Sequence, residues 1–315
     1  MTIIILAFTA VFPIFIYLAV GFGARVIGVW NDQTVSGMNK FIYSIIMPIM
    51  LFDNTRVLDL GNSPNIGMIV YGNICLAGCF LFGLMFALLT EKDNNRKGVM
   101  IQGLLRGSLL IFGIPVIQAL QPESGLDDAV LLITATTPAL SIFSVLGLEM
   151  FKKTKIVWGK VMLNTFLNPL IIGSLLGVLF AVIHPPYPAA LASVSSSLSR
   201  AAAPLALMVL GGSFTFASVK KYRRQLLLMV PGKLILMPAV WVTGGILLGF
   251  RDMPLLCILL LVASPTTVAS YTVAHQLGGD AELAGQQVVY SSAFSILTIF
   301  LWIILFMSAG LISVG

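Results

Sequence analysis

Long apolar runs alternate with short polar joints along this chain of 315 residues. Ten runs can be delimited, near residues 3–28, 34–53, 65–90, 98–120, 126–150, 157–183, 189–214, 224–249, 254–277 and 282–309. Each is close to or above the roughly 20 apolar residues that an α-helix needs to cross a bilayer. The joints are short and polar, as in the segment from Glu91 to Lys97. The pattern predicts an all-α membrane protein with ten transmembrane helices, numbered here as spans 1 to 10.

Two of these runs contain a proline at an interior position, Pro115 in span 4 and Pro265 in span 9. A proline removes a backbone donor and clashes with the preceding turn, so each run is predicted to be two half-helices that meet at the proline. Gly113 frees the backbone ahead of Pro115, and Ser264 is predicted to cap the second half of span 9. Broken helices in a bilayer persist where they line a cavity or a ligand site. The breaks therefore predict a solute site between spans 4 and 9, with plain proline kinks as the alternative.

The composition indicates an integral membrane protein. Hydrophobic residues make up 58% of the chain and charged residues 10%, whereas soluble domains are about 25% charged. The N-terminal run has no basic region ahead of it, so it is interpreted as the first span rather than a cleaved signal peptide. We expect no separate soluble domain.

The basic residues predict the orientation in the membrane. Thirteen lysines and arginines lie at the joints that follow odd-numbered spans: Arg25, Lys40, Lys92, Arg96, Lys97, Lys152, Lys153, Lys155, Lys160, Lys220, Lys221, Arg223 and Arg224. The other side holds Arg56 and Arg251. The positive-inside rule then places the odd joints in the cytoplasm and both termini outside. It also accounts for the net charge of +6, so nucleic acid is not expected as a partner.

Neither a metal centre nor a catalytic site is indicated. Cys75, Cys79 and Cys257 lie within predicted spans and are interpreted as packed, reduced thiols, so no cofactor is expected. An intramembrane enzyme would need paired acids or a nucleophile with its base at membrane depth. The acidic residues, such as Asp127 and Asp280, lie at span ends instead, and no GxxxxGK[ST] nucleotide motif occurs. A secondary transporter is favoured over an enzyme, a nucleotide-driven pump or a sensor.

The two halves of the chain show signs of an internal repeat. Three pairs of prolines recur in sequence order: Pro13 with Pro169, Pro48 with Pro204, and Pro115 with Pro265. The first two pairs are 156 positions apart and the third 150. Five spans per copy is an odd number, so the second copy enters the membrane from the opposite side. The prediction is two inverted five-helix repeats, residues 1–150 and 157–310, with broken spans 4 and 9 crossing.

Several stretches resemble the auxin efflux carrier family in its short bacterial form. They are RGSLLIFGIPVIQAL at 106–120, ASPTTVASYTVAHQLGGDAELAG at 263–285, NKFIYSIIMPIMLF at 39–52 and NPLIIGSLLG at 168–177. The resemblance covers essentially the whole chain. The chain lacks the long hydrophilic central loop of the large plant carriers.

The resemblance implies a secondary carrier of a small organic anion, such as malonate, malate or another mono- or dicarboxylate. It implies a scaffold of spans 1, 2, 6 and 7, and a transport domain of spans 3–5 and 8–10 that moves as an elevator. A bacterial plasma membrane is expected, with protons or sodium as coupling ion and a homodimer through the scaffold as a further expectation. The alternative is a sodium-coupled organic anion symporter of the bile-acid type, which shares the crossed-helix layout.

The predicted substrate-binding residues surround the two prolines. They are Arg106, Ser108, Gly113, Ile114, Pro115, Ser264, Pro265, Thr266 and Thr267. Ser108 lies where members of the resembled family often carry Asn, and serine is shorter and lacks the amide. Arg106 lies about nine residues into span 4, where a charge costs about 2.5–3.5 kcal/mol on insertion scales. It is predicted to bind the substrate carboxylate or the carbonyls that end the first half-helix, with snorkelling to the headgroups as the rival.

Four further residues are candidates for the transport pathway or for coupling: Asn39, Asn164, Asn168 and His275. Asn164 and Asn168 lie one turn apart on span 6, where they line a polar pathway or form interhelical hydrogen bonds. His275 lies at the end of the second half of span 9, as a titrating group or as a packed residue. Lys233, in span 8, is predicted to snorkel to the headgroups.

Overall fold

A computed structural model of the protein describes residues 2–57, 65–120, 126–151, 159, 163, 166–214, 219–267 and 269–312. These residues fold into helices, and no strand occurs among them. In chain order the helices are α1 (Thr2–Val26), α2 (Asp32–Thr55), α3 (Ile66–Thr90), α4 (Asn94–Leu105), α5 (Leu109–Leu120), α6 (Leu126–Glu149), α7 (Pro169–Ile183), α8 (Ala189–Gly212), α9 (219–247), α10 (Asp252–Ala263), α11 (Ala269–Gln276) and α12 (Ala281–Ser308).

The helices are those of a multi-pass membrane protein. Within the described residues, six helices are long and apolar enough to cross a membrane: α2, α3, α6, α8, most of α9, and α12. Shorter apolar helices accompany them, including α5, α7 and α10. Large apolar side chains such as Leu81, Leu175 and Leu301 are more than half exposed. An apolar exterior of this kind suits contact with lipid.

Predicted and observed bounds agree within a few residues at most helix ends. Span 3, predicted at 65–90, is α3, and span 5, predicted at 126–150, is α6. Local capping explains part of this agreement. The Asn65 side chain accepts a hydrogen bond from the Met68 N–H at 3.0 Å, and this cap fixes the start of α3. Spans 4 and 9 are each divided into two helices, α4 with α5 and α10 with α11.

Prolines inside the helices are accommodated by widened turns. In the described part of the chain, three π-helical turns each end two residues before a proline: Ile42–Ile46 before Pro48, Leu109–Gly113 before Pro115, and Gly232–Leu236 before Pro238. The residue ahead of each proline donates its N–H five residues back, as Ile114 does to the carbonyl of Leu109. A proline ring clashes with the carbonyl four residues before it, and a π turn relocates that carbonyl. The helix therefore continues through the proline.

Helices α1, α2, α7 and α8 pack closely through glycines. A Cβ atom added to Gly21 of α1 would overlap the carbonyl oxygen of Met208, and one added to Gly211 of α8 would overlap that of Leu18. Gly173 of α7 faces the backbone of α2 in the same way. Small residues let membrane helices approach to backbone contact. These four helices form one tightly packed group, which we call the glycine-packed group.

The remaining helices surround α10. Its side chains from 255 to 260 are all fully buried, and it contacts α3, α6, α9, α12 and the Leu109–Gly113 turn of α5. A helix that is apolar all round is buried in the protein interior. We call these remaining helices, α3–α6 and α9–α12, the α10-centred group. Helix α5 also contacts α1 and α8, so it lies where the two groups meet.

A polar cluster joins the starts of α4, α9 and α12. Asp280 accepts hydrogen bonds from the Leu283 N–H at 3.0 Å and from the Tyr222 hydroxyl at 2.9 Å. The Arg96 guanidinium donates to the same carboxylate at 3.2 Å, and the Asp280 N–H donates to the carbonyl of Asn95 at 3.1 Å. The three helix ends are thereby held in a fixed relation at one face of the α10-centred group.

Candidate functional site

The two broken helices touch at their breaks. Between α4 and α5 the chain is extended, and Gly107 pairs with Thr266, between α10 and α11, as an isolated antiparallel bridge. The Ser108 N–H donates to the carbonyl of Pro265 at 3.0 Å. Non-helical backbone at membrane depth is tolerated where it is buried in protein or lines a cavity. We call this pairing of 106–108 with 265–266 the crossing.

The sequence predicted that the break in span 4 lies at Pro115, and this prediction is wrong. The break lies at Gly107, and Pro115 is inside α5, beyond the π turn that accommodates its ring. Seven residues separate Ser108 from Pro115, which is about 10 Å along a helix at 1.5 Å per residue. Gly113 and Ile114 are buried in the same helix. The structure therefore does not bring Gly113, Ile114 and Pro115 to the crossing.

Span 9 does break at its proline, but the predicted cap is wrong. Ser264 ends α10, and its hydroxyl donates to the carbonyl of Leu260 in the preceding turn. The second half-helix begins at Ala269, and the carbonyl of Thr267 accepts the N–H of Ser270 at 2.9 Å. Proline commonly follows a helix end because it cannot continue the helix. Pro265 thus follows the end of the first half-helix instead of starting the second.

Gly107 permits the close approach of the two breaks. A Cβ atom at this position would overlap the backbone carbonyl oxygen of Leu261 and would lie 3.4 Å from Nζ of Lys233. A backbone atom cannot turn aside as a side chain can. A residue without a side chain is therefore required where α10 passes the break in span 4.

Thr266 connects the crossing to α4 and α12. Its N–H donates to Oγ of Ser291 at 3.0 Å, and its hydroxyl donates to the carbonyl of Gly103 at 2.9 Å. The Gln287 amide donates to the Thr266 hydroxyl at 3.3 Å. Thr266 is 1% exposed, so these bonds satisfy a buried polar side chain. The crossing is held on both sides by hydrogen bonds between separate helices.

Two cations lie beside the crossing. Arg106 is 8% exposed, and Lys233 is fully buried with its Nζ donating to the carbonyl of Leu105 at 3.4 Å. Among the residues that the structure describes, neither forms an ion pair with an acidic side chain. The prediction that Lys233 snorkels to the headgroups is wrong, because a snorkelling ammonium would be exposed. The burial of Arg106 likewise argues against snorkelling.

Several buried polar atoms near the crossing have no hydrogen-bond partner in the described structure. They include both side-chain polar atoms of Gln102, Nε of Arg106 and Oε1 of Gln287. Leaving a buried donor or acceptor unsatisfied costs about 1–3 kcal/mol. Gln102 lies in the last turn of α4, four residues before Arg106, and Gln287 lies one turn before Ser291. These donors and acceptors suit a polar ligand at the crossing.

The glycine-packed group also contributes polar residues. The phenol of Tyr43 in α2 is close enough to interact electrostatically with Arg106, and the Asn168 amide donates to the Tyr43 hydroxyl at 3.4 Å. Asn168 also caps α7 by accepting the Leu170 N–H at 2.9 Å. Asn39 lies one turn before Tyr43 and is partly buried. The hydrogen bond between Asn168 and Tyr43 joins α7 to α2 within the glycine-packed group.

Two predicted pathway residues lie elsewhere. Asn164 is outside the described residues. His275 is exposed at the end of α11 and stacks on the ring of Tyr271, with 6.2 Å between ring centroids. No group of three potential metal ligands occurs in the part of the chain that the structure describes. The polar groups of the site are thus cationic and amide or hydroxyl groups.

Sequence reasoning missed several residues of this site. Gln287, Ser291 and Ser295 recur every four residues on span 10 and are buried, so a polar stripe at helical spacing was the available signal. Gln102 and Arg106 show the same spacing. Tyr43 offers no such signal, because the Asn168 amide that donates to its hydroxyl is 125 positions away in the chain.

Comparison with known proteins gives two matches over nearly the whole chain. A family model described as "Membrane transport protein" matches residues 6–303. The chain is also similar to an "Uncharacterized transporter" of Methanothermobacter thermautotrophicus (strain Delta H), with 22% identity over 296 residues. The aligned region is 93% of this chain and 96% of that relative.

Proposed function

The chain belongs to the membrane transport protein family, that of the auxin efflux carriers, and we propose from this premise that it is a secondary active transporter of a small organic anion. The resemblance predicted from the sequence is thereby confirmed, and both matches are transporters rather than enzymes. The proposed substrate is a carboxylate such as malonate, malate or another mono- or dicarboxylate. Its proposed site is the crossing.

The observation that carries the proposal is a pair of buried cations that have no acidic partner among the described residues. Arg106 and Lys233 both lie against the break in span 4. Buried charge is costly unless it is paired, and an anionic ligand would supply the missing charge. A guanidinium binds a carboxylate through two parallel hydrogen bonds. The unsatisfied amide of Gln102 supplies a further donor and acceptor for the ligand.

The proposed mechanism is alternating access of the elevator type. Ten spans would form two inverted five-helix repeats, with α4–α5 and α10–α11 as the crossed broken spans. We assign the glycine-packed group to the proposed scaffold of spans 1, 2, 6 and 7. We assign the α10-centred group, which contains both breaks, to the proposed transport domain. Movement of this group past α1, α2 and α8 would carry the site between the two sides of the membrane.

The alternative is a sodium-coupled symporter of the bile-acid type. Carbonyls at the end of a half-helix can coordinate sodium, and the crossing has such an end at Leu105. The Lys233 ammonium donates to that carbonyl, which favours the sodium-independent carrier.

Counterflow in proteoliposomes tests the proposed function. Vesicles loaded with unlabelled malonate, malate or a monocarboxylate should accumulate the labelled anion transiently, and vesicles without protein should not. A labelled neutral polyol of similar size is the specificity control. Exchange of the polyol without exchange of any carboxylate would contradict the proposal. Repeating the assay with and without a sodium gradient separates the two coupling alternatives.

The proposed orientation can be tested on the same protein. The native cysteines Cys75, Cys79 and Cys257 are buried, so the background reactivity towards an impermeant thiol reagent should be low. His184→Cys, in the exposed joint after α7, should react in intact cells, and Asn94→Cys, at the start of α4, should react after permeabilisation. The opposite labelling pattern would reverse the orientation that the charge bias predicts.

A further inference from the structure

Lys233 lies in the π turn Gly232–Leu236 of α9 and is fully buried. Its Nζ donates to the carbonyl of Leu105, the last residue of α4. The carbonyls that end a helix carry a partial negative charge of about half an elementary charge. The ammonium is therefore held against the negative end of the first half-helix of span 4.

The backbone around Lys233 fixes this position. A Cβ atom added to Gly232 would lie 2.9 Å from the side chain of Leu104, and one added to Gly107 would lie 3.4 Å from Nζ. Both glycines thus allow α9 to approach the break closely. Within the same turn Ile235 is about half exposed, 53%, so the buried and lipid-facing sides of α9 alternate here. Lys233 is on the buried side.

A buried ammonium needs compensation, and within the described structure the protein provides part of it through a helix end rather than an acidic side chain. Charges buried in protein are paired or hydrogen-bonded, because their desolvation is costly. At the crossing the compensation comes from the helix end at Leu105. In transporters built on broken helices, the carbonyl ends of half-helices are also where coupling cations bind. The Lys233 ammonium places a covalently attached positive charge at a carbonyl end of this kind.

We propose that Lys233 is a resident cation of the crossing, whose ammonium occupies the place that a soluble alkali cation would take at the carbonyl end of α4. The inference rests on the proposed function and specifies its coupling. The anion binds beside a covalently attached positive charge, so binding and exchange require neither sodium nor potassium. Removing the ammonium should create a cation site at the Leu105 carbonyl.

Chemical rescue of Lys233→Ala tests this proposal. The substitution deletes three methylene groups and the ammonium, a set of atoms that n-propylammonium reproduces. The purified variant should show a saturable rise of several degrees in its melting temperature with n-propylammonium chloride. 1-Propanol, which has the same chain without the charge, should give no such rise. Wild type and Lys92→Ala, which removes an exposed lysine, should respond equally little to both compounds.

Transport measurements give a second, separate readout. Wild-type malonate counterflow should be the same in sodium, potassium and N-methyl-D-glucamine chloride. The neutral, similarly sized Lys233→Met should lose exchange while remaining folded, which also covers the case in which Lys233→Ala does not fold. Sodium-dependent wild-type exchange, or wild-type exchange by Lys233→Met, would overturn the proposal. If the wild-type protein exchanges no carboxylate at all, the proposed function is wrong. The n-propylammonium response of Lys233→Ala then tests by itself whether Lys233 is the resident cation.

Discussion

Replacing Gly107 by alanine should reduce anion exchange to the background of empty vesicles. The added Cβ atom would overlap the carbonyl oxygen of Leu261, and this backbone atom belongs to the fully packed α10. Relieving the overlap requires α10 and the break in span 4 to separate. The hydrogen bond from Ser108 to Pro265 and the contact of Lys233 with Leu105 would then both lengthen. Overpacking of this kind costs about 1–3 kcal/mol, often with backbone shifts.

Gly37→Ala is the matched control for Gly107→Ala. Gly37 lies in α2, and apart from the backbone of its own helix no atom of the described residues lies within 4 Å of the position that its Cβ would take. Alanine is favoured over glycine in a helix interior by about 0.8–1.0 kcal/mol, so this variant should fold and exchange as wild type does. Counterflow and melting temperature are to be measured for both variants. If Gly107→Ala exchanges as well as Gly37→Ala, the crossing is not the tight contact that carries transport.

The spans could be predicted from the sequence because their signals are local. Apolar runs of helical length and polar caps such as Asn65 and Asp280 lie within a few residues of the ends that they determine. The interior prolines Pro115 and Pro265 predict that spans 4 and 9 are broken, and both are divided in the structure. The pairing of the repeats, the orientation and the movement stay predictions.

The position of the break in span 4 could not be predicted from its proline. Pro265 and Pro115 look alike in sequence, but Pro115 follows a π turn that lets its helix continue, and Pro265 follows the end of α10. What places the break at Gly107 is the carbonyl of Leu261, which is 154 positions away in the chain. A local proline rule contains no information about that contact.

The burial of Lys233 was missed for a related reason. Its distance from the end of span 8 suggested that its long side chain would reach the headgroups. Whether a side chain faces lipid or protein depends on the rotation of its helix, and the π turn at Gly232–Leu236 shifts the helical phase at this residue. The contact with Leu105 joins residues 128 positions apart.

Both Arg106→Lys and Arg106→Gln should fold and should lose binding and exchange of the anion. Arg106 follows the last residue of α4 with an extended backbone, φ −77° and ψ 105°. Side chains within a helix lean towards its N-terminus, which would carry an arginine of span 4 towards the headgroups, but the extended backbone frees Arg106 from this constraint. The guanidinium lies instead within the protein and without an acidic partner in the described structure.

The size of the Arg106 effect follows from the hydrogen bonds at stake. A hydrogen bond to a charged group contributes about 1.5–3 kcal/mol, so losing two of them should weaken carboxylate binding by about a hundredfold or more, since 1.4 kcal/mol is tenfold. Lysine keeps the charge but not the planar fork, so Arg106→Lys should recover a minor part of the binding. Arg223→Gln, which neutralises an exposed arginine of α9, is the control for a general loss of positive charge. Wild-type malonate exchange by Arg106→Gln would remove the guanidinium from the site, and the anion would then be held by Lys233 and the amide of Gln102.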